Sequence, residues 1–107
     1  VSYAKELNLI DAVAYHQVPV FDAAALFSKT EGIIPAPESA HAIKCAVDKA
    51  IECKNKNEEK IILFNLSGHG HFDMASYEKY LNKQLINYEL EQSLINKSLE
   101  ELPQVVL

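Results

Sequence analysis

Residues 61–73 read IILFNLSGHGHFD: an unbroken apolar run, Ile61 to Phe64, enters a turn holding two glycines and a hydroxyl, and the turn enters a new helical pattern at Phe72. A run of this kind, rich in branched side chains, suits a strand buried on both faces, and such strands belong to parallel sheets. In an open α/β sheet, ligands gather beyond the carboxyl ends of the strands, where the loop backbone approaches closely and the next helix offers unpaired N–H groups. The expected binding loop is therefore residues 67–71.

The rest of the chain supplies helices. Val20, Ala23, Ala24 and Phe27 share one side at helical spacing, with Leu26 beside them and Pro19 in the first turn, where its missing N–H costs nothing. A second, alanine-rich helix is expected over residues 38–54. It carries Ala42, Ile43, Ala46, Val47, Ala50 and Ile51 on one stripe and Lys44, Asp48, Lys49 and Glu52 opposite. So many alanines imply close packing on a flat partner, expected to be the sheet. Between the two helices, Gly32 is a helix stop and Pro35 and Pro37 forbid a central strand, which makes residues 30–37 a shaped connector. Residues 12–17 read as a short strand or extended loop. Beyond the glycine loop, Tyr77, Tyr80 and Leu81 continue a helix, and Leu85, Tyr88, Ile95, Leu99 and Leu102 extend a tail stripe too imperfect for a coiled coil.

The expected class is α/β, helix-rich, with few parallel strands flanked by helices. A single confident parallel strand lacks the neighbours it needs, and residues 2–9 read as the end of a helix. A piece of a longer protein is therefore expected, with residues 1–107 as one unit of it. At 107 residues the chain holds one domain at most. A net charge of −5 with scattered lysines offers no basic stripe to a phosphate backbone, so nucleic acid is not an expected partner. No apolar run approaches the ~20 residues needed to span a bilayer, and a cytoplasmic location is expected. Cys45 and Cys53, eight residues apart on one helix, would lie roughly 12 Å apart, too far for a disulfide.

Three groups of residues could carry chemistry. His69, His71 and Asp73 form a His-x-His-x-Asp pattern after the apolar run, and imidazoles two apart in a loop can converge on zinc beside a carboxylate. The plainer reading has these histidines ordering the loop. Ser67, Gly68 and Gly70 could admit an anion or cofactor close to the backbone, although they match neither the dinucleotide fingerprint nor the P-loop. Glu31, Glu38, Ser39 and His41 make a carboxylate-rich connector in which Glu38 or Ser39 would serve the start of the helix. A protein-interaction module built on Leu85, Ile95, Leu99 and Leu102 is a further, non-enzymatic alternative to the zinc hydrolase.

Two stretches taken together, TEGIIPAPESAHAI at 30–43 and ILFNLSGHGHFD at 62–73, resemble the C-terminal part of the tryptophan synthase beta family. The match is to the second, beta-like branch of these pyridoxal-phosphate enzymes of fold type II, because the other branch has an arginine where His69 stands. The likeness runs from AVAYHQ at 12–17 to the tail. It implies that Ser67 hydrogen-bonds the pyridine nitrogen of pyridoxal 5'-phosphate, that Gly68 lets the backbone approach the ring, and that Glu31 lies beside it. It further implies β-replacement on L-serine by indole to give L-tryptophan, a homodimer in full-length form, and possible pairing with an alpha subunit. Nothing in the chain matches the family's Schiff-base lysine or its phosphate-binding loop. The resemblance therefore implies a C-terminal fragment that contributes one side of a site completed by the rest of its own chain, and that is inactive alone.

Overall fold

The structure, a computed structural model, describes residues 1–86 and 92–100. Helices α1 (Ser2–Glu6), α2 (Gln17–Glu31), α3 (Pro37–Lys56), α4 (Met74–Leu81) and α5 (Gln92–Glu100) follow one another, with a 3-10 turn at Gly70–Asp73 leading into α4. No strand occurs among the described residues.

Helix α2 begins two residues before Pro19, which sits in the first turn as its fixed φ favours. Gly32 ends the helix in the left-handed region at φ 72°, its N–H returning to the Ser28 carbonyl. Helix α3 starts with Pro37 at its first position and closes on Asn57, also left-handed, at φ 54°. Neither Glu38 nor Ser39 caps it. The capping position is Ala36, which makes no side-chain bond, so the expected helix-start role of these two residues is limited to the charge of Glu38 in the first turn.

The two long helices pack on each other, and the contact is made where side chains are smallest. Ala24 and Ala40 are wholly buried, beside Val20 and Ile43. Small residues let helix axes approach closely, and Ala40 of α3 is spent on α2 in this way, whereas Ala42, Ala46 and Ala50 of the expected stripe are half-buried or exposed. Phe21, which the expected stripe left out, joins Val20, Ala24, Ala40 and Tyr77 in one cluster, with Tyr15, Ile34, Tyr80 and Leu85 packed around it. Its ring meets Tyr77 edge-on at 5.0 Å and stacks with Tyr80 at 5.8 Å, which brings α4 onto α2.

The largest departure is the expected strand. Residues 60–67 form no ladder, and Ile61 and Leu63 are 100% and 95% exposed. A parallel strand exists only through neighbours that take up its backbone groups, and no described segment lies alongside to do so. Phe64 alone turns inward, its ring edge-on to Phe27 at 6.1 Å. The apolar stripe of α3 is likewise half used. Ile43 is buried, whereas Ala50 and Ile51 are exposed. Residues 11–16 are extended loop, the second of the two readings for that stretch. Of the tail stripe, Tyr88 and Leu102 lie outside the described residues. Both cysteines of α3 are free and half-buried.

Candidate functional site

The connector after α2 and the glycine loop before α4 are separated by more than thirty residues of chain, yet they are stitched together. The Gly70 N–H donates to the Ile34 carbonyl at 2.9 Å. One residue further on, the Pro35 carbonyl accepts from the buried Tyr77 hydroxyl at 2.5 Å. A third tie comes from α3: the Ser39 hydroxyl donates to the Ser67 carbonyl at 2.5 Å and accepts from the Ser67 N–H at 3.2 Å.

Gly70 is required by crowding. A Cβ built there would stand 2.6 Å from Ile34 Cγ2, 2.7 Å from the Pro35 oxygen and 3.0 Å from Tyr77 Cε2. Gly68 is required by conformation, with φ at +69°, and an added Cβ would meet only Ala36, at 3.4 Å. The loop thus holds one glycine for close approach within the chain and one for the turn that follows Ser67.

Ser67 itself is exposed. Its hydroxyl lies 3.5 Å from that of Ser39, at the edge of hydrogen-bonding reach, while its backbone is satisfied on both sides. This leaves an exposed polar side chain, with one long contact, on a fixed backbone. Glu31 closes α2, is exposed, and its carboxylate has no hydrogen-bond or ion-pair partner among the described residues. Glu31 stands three residues before the bonded Ile34, and Ser67 three before Gly70. The stitching therefore holds their backbones on two adjoining segments, each within about 10 Å of chain from the Gly70–Ile34 bond.

Among the described residues no three His, Cys, Asp or Glu side chains are grouped to hold a metal ion. The reason is local. His71 and Asp73 fall in a 3-10 turn, whose three residues per turn send them to different sides. His69 Nδ1 is meanwhile engaged in accepting the His71 N–H at 3.2 Å. The His69 ring lies 4.6 Å from that of His71 and 5.3 Å from that of Phe72. These residues order the start of the turn, as the plainer reading has it. His41 is exposed, with Nδ1 3.0 Å from the Pro37 carbonyl.

Sequence reasoning missed the parts of the site that do the holding: Ser39 as a clamp, Tyr77 as a hydrogen-bond donor to the connector, and the crowding at Gly70. Only Gly70 carried a local signal, as the second glycine of a loop. Burial pushes the Tyr77 hydroxyl up to about 12, aided by the nearby charge of Asp73, so it remains a donor across the ordinary pH range.

No family model matches the chain. Among curated proteins it is similar to the tryptophan synthase beta chain 2 of Methanosarcina mazei, 68% identical over 78 residues, which is 73% of this chain and 18% of that protein. The tryptophan synthase beta chain 2 of Aquifex aeolicus is 65% identical over 79 residues, 74% of this chain and 18% of the relative. That of Pyrococcus furiosus is 55% identical over 96 residues, 90% of this chain and 22% of the relative. The chain thus spans about a fifth of the length of the curated relatives it matches. Identity of this order over most of these residues bears out the resemblance read from the two loops: the chain belongs to the tryptophan synthase beta family.

Proposed function

We propose that residues 1–107 are the C-terminal part of a beta-like tryptophan synthase, and that the loop at Ser67 faces the pyridine nitrogen of pyridoxal 5'-phosphate. The observation that carries this reading is the pair of hydrogen bonds between the Ser39 hydroxyl and the Ser67 backbone, which leaves the Ser67 hydroxyl as an exposed polar group on a fixed support. The residues fit the ring edge of such a cofactor: an exposed hydroxyl with only a long contact to Ser39, a left-handed glycine beside it, and a carboxylate at Glu31 that is unpaired among the described residues.

The cofactor, when bound, supplies an electron sink for chemistry at the amino-acid substrate. Ser67 sets how strongly the ring draws electrons. A neutral hydroxyl meets the pyridine nitrogen with a hydrogen bond and does not hold a proton on it, as a carboxylate would, and this moderation suits elimination and replacement at the β carbon. Gly68 allows the backbone to come near the ring face. Glu31, with no partner among the described residues, keeps a carboxylate available beside the ring. The substrates in this reading are L-serine and indole, and the product is L-tryptophan. The lysine and the phosphate cradle would come from the remainder of the relatives' length, and a homodimer and an alpha-type partner belong to the same proposal.

The test is to express the full-length natural protein that carries this sequence, beside the 107-residue chain alone. The full-length protein is expected to bind pyridoxal phosphate and convert L-serine and indole to L-tryptophan, and the short chain to do neither. A full-length protein that binds the cofactor but leaves indole unconsumed would overturn the choice of acceptor. Absence of cofactor binding would overturn the whole reading.

A further inference from the structure

Ser39 is 8% exposed, and among the described residues it is the one polar residue that is buried. Its hydroxyl is not spent on its own helix. It stands at the third position of α3, behind Pro37 and the capping Ala36, and no side chain caps that helix. Instead it serves both backbone groups of one distant residue, donating to the Ser67 carbonyl and accepting from the Ser67 N–H. A hydroxyl has one hydrogen to give and two lone pairs to accept with, so both of these bonds form at once. No helix or sheet otherwise takes up the Ser67 backbone, since residues 60–67 pair with no strand among the described residues.

Resting on the reading of Ser67 given above, we propose that Ser39 is a positioning residue that fixes the Ser67 backbone and so aims the Ser67 hydroxyl at the cofactor's pyridine nitrogen. The chain turns sharply just after Ser67, through Gly68 at φ +69°. Without a tie before that turn, the direction of the Ser67 side chain would follow the swing of the loop. The tie at Gly70 to Ile34 anchors the far side, and Ser39 anchors the near one. The hydroxyl separation of 3.5 Å leaves the Ser67 Oγ without a strong internal competitor.

The experiment is a double-mutant cycle in the full-length protein that carries this sequence, with Ser39→Ala, Ser67→Ala and both together. The readouts are the absorption spectrum of bound pyridoxal phosphate and its dissociation constant. Ser39→Ala is expected to shift the spectrum in the same direction as Ser67→Ala and to weaken the cofactor on the order of tenfold, the scale set by a broken buried polar pair. The double variant should go no further than Ser67→Ala alone, because Ser39 acts through that hydroxyl. Ser39→Thr, which keeps a hydroxyl, should restore the original spectrum.

Additive effects in the double variant would show that Ser39 serves only the fold, and would overturn the proposal. So would an unchanged spectrum in Ser39→Ala. If Ser67→Ala alone changes neither readout, the failure lies in the assignment of Ser67, and the role of Ser39 falls with it. Should Ser39→Ala not fold, Ser39→Cys carries the same cycle, since a thiol fills nearly the same space with much weaker hydrogen bonding.

Discussion

The Tyr77 hydroxyl, buried midway along α4, donates to the carbonyl of Pro35 at 2.5 Å, and so joins the helix that follows the glycine loop to the connector that precedes α3. The connector owes its shape to this bond and to the neighbouring one between Gly70 and Ile34.

Tyr77→Phe keeps the ring against Phe21 and removes only the donor. The Pro35 carbonyl is then left buried without that partner, which costs about 1–3 kcal/mol. Chemical denaturation of the full-length protein should show a loss of that size, and an unchanged midpoint would mean that the bond contributes nothing net.

Gly70→Ala forces a methyl into space bounded by a backbone oxygen at 2.7 Å and a side-chain carbon at 2.6 Å. Overpacking of this kind costs about 1–3 kcal/mol. Gly32→Ala meets nothing within 4 Å and suffers only from its φ of +72°, a cost of about 1 kcal/mol. Melting temperatures of the two variants should therefore fall in that order, and, on the role proposed above for Ser67, only Gly70→Ala should also weaken pyridoxal phosphate binding in the full-length protein.

Alkaline pH should loosen the contact between α2 and α4. The Tyr80 hydroxyl donates to Asp22 at 2.5 Å, and this bond, with burial and the charge of Asp22, raises it from 10.0 to about 12. Tyr77 is raised to about 12 chiefly by burial. Folded pKa values above the unfolded ones mean that the folded state holds these protons more tightly. The stabilisation is thus complete below pH 10 and is lost as pH rises toward about 12. Urea midpoints measured across that window should fall, and Tyr80→Phe should make the fall shallower. An equally steep fall in Tyr80→Phe would remove Tyr80 from the account.

The 107-residue chain alone should self-associate, because Ile61, Leu63 and Phe72 present 100%, 95% and 92% of their surface to water, with Ile51 half exposed as well. Ile61→Lys with Leu63→Lys should reduce association in light scattering without altering the helical circular dichroism. Undiminished association would place the sticky surface elsewhere.

Much of the helical framework was readable from residue order alone. The 3.6-residue spacing of Val20, Ala24 and Phe27, the proline in the first turn of α2, the stop at Gly32 and the stripe of α3 are all local signals, and local signals decide helices. The family was readable too, because TEGIIPAPESAHAI and ILFNLSGHGHFD are long motifs in a fixed order.

What residue order left open was everything that depends on a partner distant in the chain. The strand at residues 61–66 was a fair reading of its own side chains, but a strand is a property of a pair, and no described neighbour completes it. The histidines looked like ligands until the 3-10 turn sent His71 and Asp73 apart. Ser39 looked like a helix-start residue until folding brought Ser67, twenty-eight positions away, within reach of its hydroxyl. The sequence by itself determined the helices and the kinship, since both rest on adjacent residues. Only the tertiary structure decided which hydroxyl ties the loop backbone and which stays exposed to water, because that choice is made between segments that meet only when the chain is folded.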